Sequence, residues 1–367
     1  MNVPFLNLGA QHDAIKAEVL PAVEKVLADG HYILGPNVAA FEEEIAAFTG
    51  AGFGIAVNSG SDALTLALRA LEIGPGDEVI TTPFTYIAPA ESIHQMGAQI
   101  VFADIDAKTF NLDANDVVRK FKPGKTKAII PVHLFGQAAP MREILSIVKG
   151  MSVHVIEDCA QAIGARYGGK PVGSLGMVAC FSFYPTKNLG ADGDGGMIVT
   201  QDEALAKRLR MLRVHGIERR YFHDLHGFNS RLDEVQAAIL RVKLRHLPVW
   251  NERRREIARR YCDGLSNLPL ELPVTASSNI HVFHVFALLT AQRDALQKFL
   301  TDHGVPTLIY YPQPLHLQKV YADLGFQPGD FPIAERVSKR ILPLPMYPEL
   351  TDDQVDYVIA IVRKFHG

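Results

Sequence analysis

The chain has 367 residues, 48% hydrophobic and 21% charged, a balance typical of a folded globular protein and too apolar for a disordered one. Lys and Arg total 37 against 40 Asp and Glu, a formal net charge of −3, so nothing points to general nucleic-acid or membrane-surface binding. The three cysteines, Cys159, Cys180 and Cys262, are widely spaced without a CxxC, which argues against a disulfide framework or a cysteine zinc site.

The opening MNVPFLNLGAQHD has no basic region ahead of an apolar core, so no secretory signal is expected. Residues 14–28 (AIKAEVLPAVEKVLA) show helical spacing, the Gly30–Gly35 loop follows, and Phe41 to Phe48 is a second helix. Short β-branched runs at 55–57, 78–82, 99–104, 127–132 and 153–158 then alternate with helical stretches at 61–72, 85–96, 113–121 and 140–149. That alternation predicts an α/β fold with a largely parallel sheet and helices on both faces. MVACFSF at 177–183 and GGMIVT at 195–200 continue the sheet, and helices dominate from 202 to about 264. VFHVFALLT at 282–290 reads as a strand, 291–302 and 351–365 as helices, and prolines cluster between 306 and 348. The change of character places a boundary near 250, giving a large domain 1–250 and a smaller α+β domain 251–367. No apolar run approaches the ~20 residues of a membrane-spanning helix, so a cytoplasmic protein is expected.

Open α/β sheets bind ligands at the carboxyl ends of their strands. The strand at 55–57 runs into Asn58-Ser59-Gly60-Ser61-Asp62, where a helix starts. Glycine permits close backbone approach, serine offers a hydroxyl, and the helix start has free N–H groups, which together suit an anion; an ordinary N-cap serine is the plainer reading. The strand at 153–158 ends in Glu157-Asp158, followed by Cys159-Ala160-Gln161. Carboxylates there call for a cationic partner, or cap a nearby helix. In Ser182-Phe183-Tyr184-Pro185-Thr186-Lys187-Asn188-Leu189-Gly190, a lysine follows an aromatic strand end and precedes a glycine-dense turn. Partial burial there would lower its pKa and free a nucleophilic amine.

Other motifs carry less. No GxGxxG follows a strand, and Pro123-Gly124-Lys125-Thr126 lacks the glycine a phosphate-binding loop needs, position 119 being Arg. His223 with His226, and His281 with His284, are three residues apart but lack acidic companions, so core or surface histidines are expected. The arginines of ERRREIARR (252–260) interleave with apolar residues as on a solvated helix face.

An anion cradle, an acid and a lysine at strand ends of one sheet match pyridoxal 5′-phosphate chemistry. The phosphate needs fixed donors, the pyridine nitrogen a carboxylate that keeps it protonated, and the aldehyde a lysine for a Schiff base. Beyond this, the chain resembles the DegT/DnrJ/EryC1/StrS sugar aminotransferases, within the aspartate-aminotransferase fold type. The resemblance runs nearly end to end through YILGPNVAAFEEEIAAFTG, VNSGSDAL, GPGDEVITTPFTYIA, AIIPVHLFGQ, VIEDCAQAIGARY, SFYPTKNLGADGDGGMI, GFNSRLDEVQAAIL and YYPQPLHLQ. It implies that Lys187 carries the cofactor, Asp158 faces the pyridine nitrogen, and Gln161 meets the ring hydroxyl. Tyr86 would cover one ring face and Ala160 the other, while Gly60, Ser61 and Ser182 bind the phosphate. Asn229, the Asn of GFNSRLD, would reach the phosphate of a neighbouring subunit, which implies a homodimer with shared sites. Relatives with His in place of the lysine are dehydratases; Lys187 therefore implies transamination.

The resemblance also implies a nucleotide-linked ketosugar and L-glutamate as substrates. Leu-Asp after the Arg of GFNSRLD is similar to the group acting at C3, where C4 enzymes more often read Asn-Tyr-Arg-Met. Tyr184 and the YYPQPLHLQ loop resemble enzymes of dTDP-3-keto-6-deoxyhexoses, whose sugar-side positions fall on Tyr311 and His316; Tyr310 departs from relatives with His there. A UDP-linked 3-keto uronic sugar and a 4-keto sugar are the alternatives, the former group having Ser-Lys-Pro where Thr186-Lys187-Asn188 stands. The expected product is an amino sugar for lipopolysaccharide O-antigen, S-layer glycan or a secondary metabolite. A non-catalytic cofactor-binding regulator on the same fold would be expected to lose the lysine or the acid.

Overall fold

The computed structural model describes residues 1–367. Helix α1 (Leu8–Asp29) starts where Asn7 Oδ1 accepts the Ala10 N–H at 3.1 Å, and ends at Gly30 in the left-handed region, φ 66°. Helix α2 (Pro36–Thr49) has no cap from its own N-cap residue. The distant Glu234 carboxylate serves instead, accepting the N–H groups of Asn37 at 2.9 Å and Val38 at 2.8 Å. Both helices thus begin earlier than the apolar spacing alone predicts.

Seven strands form the central sheet: β1 (Phe53–Val57), β2 (Glu78–Thr81), β3 (Gln99–Phe102), β4 (Thr126–Ile129), β5 (His154–Asp158), β6 (Val178–Ser182) and β7 (Gly196–Thr200). Their spatial order is β1-β7-β6-β5-β4-β2-β3, and only β7 runs antiparallel to its neighbours. The connecting helices are α3 (Gly60–Ala70), α4 (Ala88–Gln95), α5 (Ala114–Lys120) and α6 (Met141–Ile147), and α7 (Glu203–Leu212) follows β7. Alternate strand residues enter different cores: Ile55 and Val57 pack with α3, while Ala56 lies on the side of α2. Both faces are therefore covered, which explains why the strands read as unbroken apolar runs.

The long helix α8 (Glu234–Leu265) passes straight through the expected boundary at 250. Its first half, through Leu240, Leu244 and Leu247, belongs to the core on the α2 face of the sheet. Its second half, through Ile257, Tyr261 and Leu265, belongs to a separate C-terminal core that also takes in Val3. The division is one of packing and leaves the helix unbroken. The C-terminal part pairs β8 (Phe286–Leu289) antiparallel with β9 (Ile341–Leu344) and carries α9 (Arg293–Asp302), α10 (Pro332–Arg340) and α11 (Asp352–His366).

Within the proline-rich stretch, α10 and β9 are elements the sequence did not announce. Proline at the first position of α10 loses no hydrogen bond, and Asp104 accepts the N–H groups of Ile333 at 2.9 Å and Ala334 at 3.0 Å. Pro343 is tolerated because β9 has a partner on one side only. Conversely, the expected helical stretch from 202 is interrupted between α7 and α8 by a short hairpin, Ile217–Arg219 with Phe222–His223. No helix is long and apolar enough to cross a membrane.

Candidate active site

Three strand ends converge. Gly196 at the start of β7 pairs with Val57 of β1 on one side and Ser182 of β6 on the other. Only glycine fits at 196, because a Cβ there would lie 2.3 Å from the Ser59 carbonyl oxygen. Ser59 caps α3, its Oγ accepting the Asp62 N–H at 3.1 Å. The N–H groups of Gly60 and Ser61 are then beyond the reach of any carbonyl in their own helix. A Cβ on Gly60 would stand 2.6 Å from Ser182 Cβ and 3.1 Å from its Oγ, so the Ser182 hydroxyl borders this helix start. Helix N–H groups with an adjoining hydroxyl make an anion site. Gly60, Ser61 and Ser182 are thus brought together.

The segment GFNSRLD also reaches this point. Buried Ser230 donates to Asp62 Oδ2 at 2.5 Å and accepts the Asn58 N–H at 3.1 Å. Asn229 beside it is exposed and its side chain makes no hydrogen bond within the chain. Ser230 and Asp62 were not singled out from sequence, since neither residue type is unusual at a helix start.

The two acids at the end of β5 point to different work. Glu157 is fully buried and accepts N–H bonds from Gly173 at 3.0 Å, Leu175 at 2.8 Å and Gly176 at 2.7 Å. Buried His133 completes the set, its Nε2 lying 2.9 Å from Glu157 while its Nδ1 accepts the Ala139 N–H. Burial disfavours the Glu157 carboxylate, but His133 and the backbone donors hold its pKa below the ordinary value. Cys159 lies close enough to complete a metal-sized triad, yet these bonds occupy both ring nitrogens and both carboxylate oxygens. Glu157 is a structural anchor.

Asp158 is equally buried but far less satisfied. Its carboxylate accepts one N–H, from Ala160 at 3.0 Å. Burial raises its pKa, while the Ala160 N–H and the charges of Lys187 and His133 oppose the rise. A buried carboxylate with spare acceptor capacity is poised for a cation.

Lys187 sits in the turn after β6, where its N–H bonds the Tyr184 carbonyl at 2.8 Å. The turn is tight: a Cβ on Gly190 would meet the Pro185 carbonyl oxygen at 2.2 Å. Nζ of Lys187 forms neither an ion pair nor a hydrogen bond, and burial lowers its pKa to about 8 although the nearby Asp158 charge pulls upward. An amine with that pKa is neutral in about one molecule in ten at pH 7, far more often than an ordinary lysine, which suits a nucleophile and proton carrier.

Gln161 is fixed from both ends. Its Oε1 accepts the Phe135 N–H at 2.7 Å and its Nε2 donates to the Tyr311 hydroxyl at 3.1 Å. The Tyr311 pKa is raised mainly by burial, with Asp158 adding to it, so Tyr311 stands on the same side as the acid. Tyr310 packs between Phe5 and Tyr311, with ring centroids 6.0 and 5.8 Å away. Tyr86 and Tyr184 are 60% and 53% exposed, and so are available to a ligand or partner instead of filling the core.

His316 is elsewhere engaged. It is buried, with Nε2 3.2 Å from Glu335 and its ring against Phe331 at 4.7 Å, and none of its contacts is with Lys187, Asp158 or Tyr311. Among the histidines spaced three apart, His281 stacks on Phe283 in the core and is pushed down to about 3 by burial, while His223 and His226 are exposed.

Known proteins place this geometry in context. A Geobacillus stearothermophilus "pleiotropic regulatory protein" is 49% identical, covering 100% of this chain and 99% of that protein. Two proteins are each 45% identical. A UDP-N-acetyl-3-dehydro-alpha-D-glucosamine 3-aminotransferase of Acidithiobacillus ferrooxidans aligns over 100% of this chain and 98% of its own. A dTDP-3-amino-3,4,6-trideoxy-alpha-D-glucose transaminase of Streptomyces venezuelae aligns over 99% and 96%. The crystal structure of S. venezuelae DesV superposes with a TM-score of 0.97 at 45% identity, covering 100% of this chain and 98% of that one. The family model for DegT/DnrJ/EryC1/StrS aminotransferases matches residues 13–363, and the chain belongs to that family.

Proposed function

We propose that this chain is a pyridoxal 5′-phosphate-dependent aminotransferase that moves the amino group of L-glutamate to C3 of a dTDP-linked 3-keto-6-deoxyhexose. The observation that carries the chemistry is the nearness of an unpartnered lysine amine, Lys187, to the under-satisfied buried carboxylate of Asp158. The residues present fit the cofactor. Gly60, Ser61 and Ser182 would hold its phosphate, Asp158 its ring nitrogen, and Gln161 its ring hydroxyl, with Tyr86 and Ala160 on the two ring faces. When bound, pyridoxal 5′-phosphate supplies an aldehyde that condenses with amines and a protonated ring that accepts electrons from a breaking Cα–H bond.

Lys187 would hold the aldehyde, and its amine, when free, would be the group that takes up and returns the proton leaving Cα of glutamate. Asp158 would keep the ring nitrogen protonated, because an opposite charge in a buried site favours the cation. Gln161, held by Phe135 and Tyr311, cannot rotate away. Tyr184, Tyr310 and Tyr311 would line the sugar side. His316, the fourth sugar-side expectation, would act only through the packing behind that wall.

The nucleotide follows the S. venezuelae relative, a dTDP-amino-sugar transaminase. The A. ferrooxidans relative, which acts on a UDP-linked sugar, supports UDP as the alternative, also at C3; a 4-keto sugar is the more distant one. The regulatory name of the G. stearothermophilus relative favours a non-enzymatic reading. A regulator has no use for both Lys187 and Asp158, and both are retained.

We read residues 1–250 as the cofactor domain and 251–367 as the small domain. Exposed Asn229, beside a helix start it does not complete, supports a homodimer with shared sites. The working setting is the cytoplasm, and the product an amino sugar for O-antigen or a related glycan. The test is direct. Glutamate alone should shift the absorbance of the holoenzyme, and a dTDP-3-keto-6-deoxyhexose should reverse the shift and yield an amino sugar. Turnover with UDP-linked or 4-keto sugars alone would move the assignment to those alternatives, and no turnover with any would favour the regulator. Sedimentation showing a fully active monomer would remove the shared-site dimer.

A further inference from the structure

Beside the lysine turn lies a cavity of about 300 Å³. Its polar edge is Thr186, next to Lys187 in the chain, with His284 and Tyr310. Its floor and rim are apolar: Phe5, Leu6, Leu308, Leu344 and Met346. No lysine or arginine lines it.

The N-terminal segment is held in place to form one wall. The Val3 N–H bonds the Gly304 carbonyl at 2.8 Å, Val3 is fully buried, and Phe5 meets the Tyr310 ring edge-on. Asn188 determines how His284 presents itself. The Asn188 amide donates to Asn251 Oδ1 at 2.8 Å and to the Val282 carbonyl at 3.1 Å, so its Oδ1 is left to accept from His284 Nδ1 at 3.1 Å. The second ring nitrogen, Nε2, is therefore a lone-pair acceptor in a neutral imidazole. Burial, with the charges of Lys187 and Arg254, keeps the ring from protonating.

We propose that this pocket receives the C5–C6 end of the sugar, and that Phe5, Leu308 and Met346 select a methyl group at C6 over a hydroxymethyl group or a carboxylate. Thr186 and His284 can meet ring hydroxyls on the side nearer Lys187. The apolar floor then contacts the one part of a 6-deoxyhexose that carries no oxygen. A hydroxyl pushed into the floor loses its water without gaining a partner, and a uronate carboxylate finds no cation. This rests on the nucleotide-sugar reading above and deepens it from the nucleotide to the hexose.

The experiment uses two unreactive ligands that differ only at C6, dTDP-6-deoxyglucose and dTDP-glucose, titrated calorimetrically into the holoenzyme. The wild-type protein should favour the 6-deoxy ligand by about tenfold or more, the scale on which an apolar pocket discriminates small groups. Leu308→Asn and, independently, Phe5→Ser should bring the ratio of the two affinities towards one. Leu308 is half-exposed, so its replacement is not expected to unfold the chain, and a melting curve checks both variants. Equal binding of the two ligands by the wild type, or a ratio unchanged in both folded variants, overturns the pocket assignment alone. If neither dTDP ligand binds while glutamate still shifts the cofactor absorbance, the dTDP-sugar reading fails and the pocket assignment falls with it.

Discussion

Replacing Asp158 by Asn separates chemistry from folding. The amide keeps the shape and the oxygen that accepts the Ala160 N–H at 3.0 Å, and it removes the charge. In the wild-type protein that carboxylate is buried with a single hydrogen-bond donor, and burial raises its pKa. An acid whose folded pKa is raised disfavours the folded state once pH passes above its unfolded value, because the folded protein then carries a charge it solvates poorly. Without cofactor, Asp158→Asn should therefore melt no lower than wild type at pH 7 to 8. The reaction should suffer in the opposite sense. A charge-assisted hydrogen bond is worth about 1.5–3 kcal/mol, and on the proposed reading one from Asp158 to the cofactor ring nitrogen would strengthen in the transition state. Losing about 2.7 kcal/mol in the barrier is a hundredfold fall in kcat. Steady-state assay of holoenzyme, with cofactor occupancy checked by absorbance, gives the number. Asp158→Glu should keep more activity than Asn, since it retains the charge despite a poorer fit. Near wild-type turnover in Asp158→Asn would refute the argument and make this acid a structural cap like Glu157.

The remaining expectations concern neighbouring groups. Lys187→Ala should abolish turnover while the apoprotein still binds the cofactor through its phosphate and Asp158; residual activity above about one per cent would contradict a hundredfold or greater role for the amine. Because the Lys187 amine titrates near 8, its capture of pyridoxal 5′-phosphate should speed up as pH rises from 6 to 9 and level off above, with a midpoint well below that of an exposed lysine. A rate still climbing past pH 10 would show an ordinary lysine. Glu157→Ala strands the buried N–H groups of Gly173, Leu175 and Gly176 and should cost about 3 kcal/mol or more in a denaturant titration; a loss below about 1 kcal/mol would show that water replaces the carboxylate. Gly60→Ala drives a Cβ to 2.6 Å from Ser182 Cβ and should weaken cofactor binding by about tenfold or more, since the anion site depends on close backbone approach. Unchanged affinity by equilibrium dialysis would place the phosphate elsewhere.

Much of this chain is legible without coordinates. Alternating apolar runs and amphipathic stretches specify a parallel sheet because buried strands and half-buried helices leave different periodicities, and those survive in any order-preserving reading. Lys187, Asp158 and Gly60 stood out as candidates because ligand chemistry in such sheets concentrates at strand ends, which sequence locates. What sequence could not separate was Glu157 from Asp158. Adjacent residues on a strand point to opposite faces, and only the fold reveals that one face offers His133 and three N–H groups while the other offers a lysine. The same limit explains the rest. Glu234 caps α2 across a separation of 197 residues in the chain, α8 leaves one core and enters another without a break, and His316 turns to Glu335 and away from Lys187. Local propensity and spacing are properties of a segment, so the sequence alone determined the fold class and marked candidate residues at its strand ends. Partners brought together by long-range packing are properties of the whole chain, and only the tertiary structure decided which of two neighbouring acids was left unsatisfied.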